Sequence, residues 1–506
     1  MSTAATAIPS QQSLKSVNPL NGALLKTYPE MSPEEITAAI GKADAVYKQW
    51  CTTTFAERAA VLKRVAELYR ERREELARLM ALEMGKKLAD GRGEIDLSAE
   101  IFDYYADEGE RLLAPQKLST REGEGELIHQ PIGVVYGIQP WNFPFYQPTR
   151  FAAPNLMAGN VVLTKHASNV PQCAEAFEQL LFDAGVPQGA YTNLVVSSRN
   201  AGMIIDDDRV QGVSFTGSNK GGEQVGEQAG RKVKKTVMEL GGVDPFIVLE
   251  DADMDLTVER FLEGKLSHTG QICIAAKRII LTEPITEEFL SRVTKVFLEI
   301  KPGDPLDEAT GYGPLCTLKA AKQLEDQINR SVAAGAKLLV GGKRDGAFIE
   351  PTIITDIKRG NPAFDEEMFG PVALVFVVPD EAAAIELAND SQFGLGGSVY
   401  TSDETRGRRV AEQIEAAKAD GVLVSLHLKA TMMKVSDPII FGHAVRVFFA
   451  DLFAKHGETF ERLGVDVNNG FGDLVSKVAE LPEAARAEIE ADIAAALENG
   501  PDLAMV

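Results

Sequence analysis

Val213-Ser214-Phe215-Thr216-Gly217-Ser218-Asn219-Lys220-Gly221-Gly222 reads as a strand, a glycine turn and the start of a helix. The exposed N–H groups at such a helix start suit the pyrophosphate of a dinucleotide. The turn is not Gly-x-Gly-x-x-Gly, so alone it is a weak signal, but the flanking chain repeats its rhythm. Val134-Val135-Tyr136, Val161-Val162-Leu163, Leu194-Val195-Val196 and Phe246-Ile247-Val248-Leu249 are strand-like, and 170–184 and 220–230 are helix-like. This alternation predicts an α/β fold, a parallel sheet covered on both faces. A second α/β unit is expected from Gly242 to about Ala416, with strands near 277–282, 337–340 and 372–378.

Helices lead into this region. Ser32-Pro33-Glu34-Glu35 and Thr54-Phe55-Ala56-Glu57 are capping-box signals, the first with proline at the opening helical position. Val61, Leu62, Val65, Leu68 and Tyr69 then recur at helical spacing. They predict one long helix whose charged residues over 70–77 form a solvated face. Residues 1–13 read as a loose tail, and the Ala/Glu-rich 479–498 as a helix.

A chain of 506 residues exceeds one hydrophobic core, so two or three domains are expected. With 45% hydrophobic and 25% charged residues the composition is that of a globular protein. The net charge of -22 weighs against a nucleic-acid partner, which needs basic stripes, and against anionic membrane surfaces. Four cysteines at no metal-ligand spacing make neither a disulfide framework nor a zinc site. No secretory signal or bilayer-spanning run is visible, so a cytoplasmic setting with free thiols is expected.

Three short segments carry chemistry. Gly270-Gln271-Ile272-Cys273-Ile274-Ala275-Ala276-Lys277-Arg278 offers a thiol, and Met238-Glu239-Leu240-Gly241-Gly242 offers a carboxylate before a glycine pair that permits close backbone approach. Trp141-Asn142-Phe143-Pro144 places an amide on a rigid turn. A thiolate that attacks a carbonyl, a carboxylate that activates water and an amide that donates to an oxyanion make a coherent acyl-transfer set. Each has an ordinary alternative: Cys273 as a small buried hydrophobe, Glu239 as a strand-end carboxylate, Asn142 as a turn residue. Together the three favour the catalytic reading, and Cys51, Cys173 and Cys316 lie in no such context.

These segments resemble the NAD(P)-dependent aldehyde dehydrogenase superfamily, above all its succinate-semialdehyde dehydrogenases, over roughly 14–416. The resemblance implies a Rossmann-type cofactor domain over 14–241, with an oligomerisation hairpin near 118–138, and a catalytic domain over 242–416. It implies Cys273 as nucleophile, Glu239 as base and Asn142 with the Cys273 N–H as oxyanion donors. Cofactor contacts fall on Trp141, Lys165, Ser168, Gly217, Ser218, Leu240, Glu367 and Phe369. NAD-preferring members carry an acid at the position of Ser168, so NADP is expected here, with NAD possible. Arg150 matches an arginine that binds the distal carboxylate of the semialdehyde; a structural ion pair is the alternative. A second arginine common in those enzymes is replaced by Ser267. A small aldehyde is therefore the expected partner, no metal is implied, and the family is homo-oligomeric.

Past residue 416 the pattern changes. The expected Phe-Gly-Gly-x-Lys-x-Ser-Gly loop and terminal strand are missing. Residues 417–506, including Asp420-Gly421-Val422-Leu423-Val424-Ser425, instead resemble an interior piece of monomeric-type NADP-dependent isocitrate dehydrogenase. In that comparison Lys434, or else Lys429, matches an isocitrate-handling lysine. Gly421-Val422-Leu423-Val424 has the character of the strand the body lacks. The apolar Val445, Val447, Phe448 and Phe449 are expected to lack their original partners. The functional expectation is aldehyde oxidation through a cysteine thioester. The alternatives are a non-catalytic chimera that still binds a dinucleotide and, more remotely, isocitrate dehydrogenase activity.

Overall fold

Ser32 and Thr54 start the helical layer as the sequence expects. Ser32 Oγ accepts from Glu35 N at 3.2 Å while Glu35 accepts from Ser32 N at 2.7 Å. Thr54 and Glu57 repeat the exchange at 3.2 and 2.8 Å. The computed structural model describes residues 12–120, 123–416, 449–465, 471–479 and 481–499. Lys429, Lys434, Val445, Val447, Phe448 and the strand expected at 421–424 lie outside these.

A hairpin of β1 (Ser13–Val17) and β2 (Leu24–Pro29) precedes α1 (Pro33–Trp50) and α2 (Phe55–Glu71). The single long helix expected next is two. Arg72, at φ -101° and ψ 13°, leaves helical geometry between α2 and α3 (Arg73–Met84). Its charges do face solvent as expected: Arg70, Glu71, Glu74 and Glu75 are exposed, and the half-buried Arg72 and Arg73 reach Asp183 and Asp96, both at 2.6 Å, while Leu76 and Ala77 are buried on the other face. The long α4 (Leu88–Leu112) packs across α2, α3 and α5 (Tyr146–Ala158).

The hairpin expected near 118–138 is shorter. Strands β3 (Gln116–Thr120) and β4 (Gly123–Leu127) pair antiparallel, but β5 (Val134–Ile138) is buried in a sheet between two parallel neighbours. That sheet adds β6 (Val161–Lys165), β7 (Tyr191–Asn193), β8 (Val210–Thr216) and β9 (Lys235–Glu239) in the order β7-β6-β5-β8-β9, all parallel. Its connecting helices are α6 (Pro171–Asp183), α7 (Ser198–Asp206) and α8 (Asn219–Arg231). The strand expected at 194–196 sits earlier, at 191–193; only Leu194 N still reaches β6, donating to Thr164 O at 2.8 Å, and Leu194 and Val196 are buried.

A second sheet comprises β10 (Pro245–Val248), β11 (Arg278–Thr282), β12 (Lys337–Val340), β15 (Thr352–Thr355), β16 (Val372–Val378) and β17 (Ser398–Tyr400). Their order is β12-β15-β16-β11-β10-β17, parallel except for β12 against β15. A two-residue-per-strand hairpin, β13 (Arg344–Asp345) and β14 (Phe348–Ile349), lies apart. Helices α9 (Met254–Leu266), α10 (Glu283–Glu299), α11 (Leu318–Ala333), α12 (Pro362–Asp365) and α13 (Glu381–Asn389) belong to this half, and α14 (Glu404–Ala416) starts in it. Phe246, Phe261, Phe289 and Phe297 are buried together, Phe261 lying 5.3 Å from Phe289.

The chain divides at 411/412 into a body and a second unit. The second unit holds α15 (Ala450–Leu463), α16 (Phe471–Val478) and α17 (Glu483–Asn499). Of the four apolar residues expected to lack their original partners, Phe449 alone is described, and it packs within this unit. It is 2% exposed and clusters with Leu452, Phe460, Leu474, Val478 and Ile489, because the three helices turn their apolar faces on one another. No described helix is long and apolar enough to cross a membrane.

Candidate active site

In the five-stranded sheet β5 comes first in the chain, with β6 and β7 to one side and β8 and β9 to the other. The order reverses between β5 and β8, and ligands of such sheets bind in the crevice outside the carboxyl ends of the strands. The sequence-selected residues follow those ends. Trp141 and Asn142 come after β5, Lys165 ends β6 with the exposed Ser168 in the next loop, Gly217 and Ser218 join β8 to α8, and Glu239 ends β9 before Leu240. Ser218 caps α8, its hydroxyl accepting from Gly221 N at 3.3 Å. Lys165 Nζ donates to His166 O at 3.1 Å; burial pulls its pKa down and Glu30 works against that.

Cys273 follows a tight turn over Ser267–Gly270 in which His268 (φ 49°) and Thr269 (φ 54°) adopt the left-handed region. For non-glycine residues that backbone is strained and persists only where surroundings impose it. Here His268 N donates to Asp90 Oδ2 at 3.0 Å and Thr269 Oγ1 to Gly313 O at 3.1 Å. Gly270 is required: a Cβ there would meet Gly370 O at 2.2 Å. Asn142 Nδ2 donates to Gln271 O at 3.1 Å, which draws the Trp141–Asn142 loop onto the cysteine segment.

Lys277, four residues after the cysteine, was not singled out in the sequence. Its buried Nζ donates to Ile272 O at 2.9 Å and Cys273 O at 2.6 Å, and pairs with Glu367 Oε1 at 3.0 Å. Glu367 also accepts from Gly242 N at 3.4 Å, and a Cβ at Gly241 would lie 2.4 Å from its other oxygen. The glycine pair is thus what lets Glu367 approach the end of β9. Phe369 stands edge-on to Trp141 at 5.6 Å. Trp141, Asn142, Cys273, Glu367 and Phe369 are therefore linked through short contacts.

Burial pushes the Cys273 thiol up; the Lys277 ammonium opposes this, while Glu367 and Asp244 add to it. Cys173 and Cys316 are buried, and burial pushes Cys316 to about 12 and Cys173 well above the usual thiol range. Cys273 is partly exposed. Arg150 and Glu239, assigned to different tasks, are brought together: Arg150 Nη2 donates to Glu239 Oε1 at 3.0 Å.

A further pair went unread in the sequence. Lys86 and Glu94 form a wholly buried ion pair, with Lys86 Nζ donating to Asn142 O at 2.8 Å. Neither has a local signal, since the partners come from separate segments.

Residues 7–420 match the family model described as the aldehyde dehydrogenase family. The chain belongs to the aldehyde dehydrogenase family. It is 48% identical over 402 residues to a succinate-semialdehyde dehydrogenase (NADP(+)) of Deinococcus radiodurans, covering 79% of this chain and 84% of the relative. It is 39% identical over 403 residues to the succinate semialdehyde dehydrogenase (NAD(P)+) Sad of Escherichia coli, covering 79% and 87%. Among solved structures it is similar to Gox0499, described for cofactor and substrate selection, with a TM-score of 0.78 and 45% identity over 80% of this chain and 89% of that one. The succinic semialdehyde dehydrogenase of Streptococcus pyogenes in complex with NADP+ has a TM-score of 0.78 and 39% identity, covering 79% and 89%. Residues 398–506 match a different model, monomeric isocitrate dehydrogenase. The change of resemblance expected near 416 is thus present.

Proposed function

We propose that this protein oxidises an aldehyde bearing a distal carboxylate, succinate semialdehyde or a close analogue, with NADP as preferred acceptor and NAD as second choice. The observation that carries the reading is the Asn142–Gln271 contact at 3.1 Å, which sets an amide donor beside the segment holding a partly exposed thiol. The similarity to succinate-semialdehyde dehydrogenases supports the substrate class.

The donor set fits a dinucleotide. The start of α8 offers N–H groups for a pyrophosphate, Lys165 an ammonium for the ribose side, Glu367 a carboxylate for ribose hydroxyls, and Trp141 and Phe369 apolar edges for a nicotinamide. In this reading 14–241 holds the dinucleotide and 242–416 carries the cysteine. When bound, the nicotinamide accepts hydride from the substrate carbon.

Cys273 attacks the carbonyl carbon as thiolate. An amide nitrogen carries two hydrogens, so Asn142, with one on Gln271 O, has a second for the oxyanion alongside the Cys273 N–H. Loss of the hydrogen as hydride leaves a thioester on Cys273. Glu239 then takes a proton from the water that cleaves it, and Arg150 faces the distal carboxylate with a guanidinium fork.

Aldehyde-dependent NADPH formation by the purified chain tests this, with Cys273→Ala as control. Activity no greater than that of Cys273→Ala ends the catalytic reading. Asn142→Ala is expected to lower kcat by roughly 100- to 1,000-fold, the cost of one oxyanion donor. A second reading, dinucleotide binding without turnover, is favoured by the isocitrate-dehydrogenase-type match over 398–506 and by coverage of 84% of the Deinococcus relative. NADPH fluorescence titration on the same sample separates the two: binding without turnover selects the second.

A further inference from the structure

Arg150 and Glu239 serve different steps of the proposed reaction, yet they hold each other. Arg150 projects from α5 and Glu239 ends β9, and the guanidinium Nη2 lies 3.0 Å from Glu239 Oε1. The pair is incompletely solvated, with side-chain exposures of 36% and 14%. A guanidinium bonded to Glu239 Oε1 holds that carboxylate in one orientation, from which a base has to turn to meet a water elsewhere. A substrate carboxylate is a direct rival for the same fork.

We propose that Arg150 couples substrate recognition to deacylation: the distal carboxylate of the bound acyl group takes Arg150 from Glu239 and so releases the base. This rests on the roles assigned to Arg150 and Glu239 above. In the step it governs, a water oxygen bonds to the thioester carbon, the C–S bond breaks and Cys273 leaves with the electron pair as thiolate. Glu239 takes the water proton and passes it to solvent; nothing is oxidised or reduced. The exchange is driven by the difference between the affinities of Arg150 for the two carboxylates. An aldehyde without a carboxylate leaves the base held, so discrimination falls on kcat as well as KM.

The coupling makes a prediction opposite to that of a simple binding arginine. Succinate semialdehyde is compared with butanal, which has a methyl group in place of the carboxylate, with NADP and the full chain. Rapid mixing separates the NADPH burst from the later steady rate, which reports deacylation. In Arg150→Met the steady rate with butanal is expected to rise roughly twofold to fivefold, the range an incompletely buried ion pair supports, while succinate semialdehyde loses both kcat and affinity. In the wild type, added propionate is expected to accelerate butanal turnover and to have no such effect in Arg150→Met. Propionate on the wild type also stands alone should the variant not fold. An unchanged or slower butanal rate in a folded Arg150→Met, or no propionate activation of the wild type, overturns the coupling and leaves the aldehyde reading intact. A wild type inactive on both aldehydes removes the reading itself, and the coupling with it.

Discussion

Lys277 shows how one side chain can tune the Cys273 thiol through main-chain contacts and charge. Its ammonium ties together the carbonyls of Ile272 and Cys273 and the carboxylate of Glu367, and its charge offsets part of the rise that burial imposes on the thiol. Removing the charge leaves burial, Glu367 and Asp244 all pushing the same way, so the thiol pKa must rise and less thiolate exists at any given pH. Lys277→Met is therefore expected to alkylate more slowly with iodoacetamide at neutral pH and to move the rate–pH profile to higher pH, with Lys277→Arg nearer the wild type. An unshifted profile would show that the carbonyl anchors, and not the charge, are what Lys277 provides. That the Asn142 and Cys273 segments belong together was legible in the sequence, because amide and thiol each sit in a glycine- or proline-marked segment, and the Gln271 contact joins them. Lys277 was not, since its partners are main-chain carbonyls and a residue far along the chain, which no local pattern encodes. The Arg150–Glu239 contact was hidden for a related reason: each residue was read alone, and only the fold sets α5 against the end of β9.

At the scale of elements, the loop that carries Asn142 depends on a cap borrowed from another helix. Helix α5 has no side-chain cap of its own. Glu94, from α4, accepts from Phe145 N at 2.8 Å and Tyr146 N at 3.0 Å, and so satisfies donors that a helix start otherwise leaves open. Lys86 balances the buried Glu94 charge and bonds Asn142 O. Lys86→Met strands that carboxylate in the interior, which typically costs about 3–5 kcal/mol; urea unfolding should show the loss, and a change within error would mean that Glu94 finds another partner. On the cofactor side, Ser168 is exposed in the loop after β6. Ser168→Glu is expected to shift preference toward NAD by repelling a 2′-phosphate, and an unchanged NADP/NAD ratio would place residue 168 away from the ribose. Capping boxes and most strands were readable because caps and apolar runs are local. Leu194-Val195-Val196 misled because burial and pairing are separate matters. Leu194 and Val196 are buried, but the register of β7 with β6 ends at Asn193: Leu194 N makes the last bond, to Thr164 O at 2.8 Å, and Val195 O accepts from Met31 N at 2.9 Å.

For the whole molecule, the shift in family resemblance and the division of the fold fall close together. The aldehyde dehydrogenase match runs to 420, the isocitrate dehydrogenase match begins at 398, and the units part at 411/412. The alternation of strands and helices made the body readable, because each strand of a parallel sheet must be followed by a covering helix. In the second unit the sequence pointed only to apolar residues without their original partners, because a packing of helices from separate segments leaves no local signal. Its helices bury Phe449, Leu452, Phe460, Leu474, Val478 and Ile489 together, with Phe453, Val465, Leu481 and Ile493 packed around them. This cluster is smaller than the two that pack on the second sheet of the body, so burial contributes less to holding these helices. The amides of α15 are therefore expected to exchange hydrogen earlier than those of β8 and β16 as urea is raised. Phe460→Ala, which removes a ring 2% exposed at the centre of that cluster, should abolish protection in α15–α17 while the body keeps its own. Loss of protection in both units at one urea concentration, in wild type and Phe460→Ala alike, would show instead that the foreign segment has become energetically part of the aldehyde dehydrogenase body.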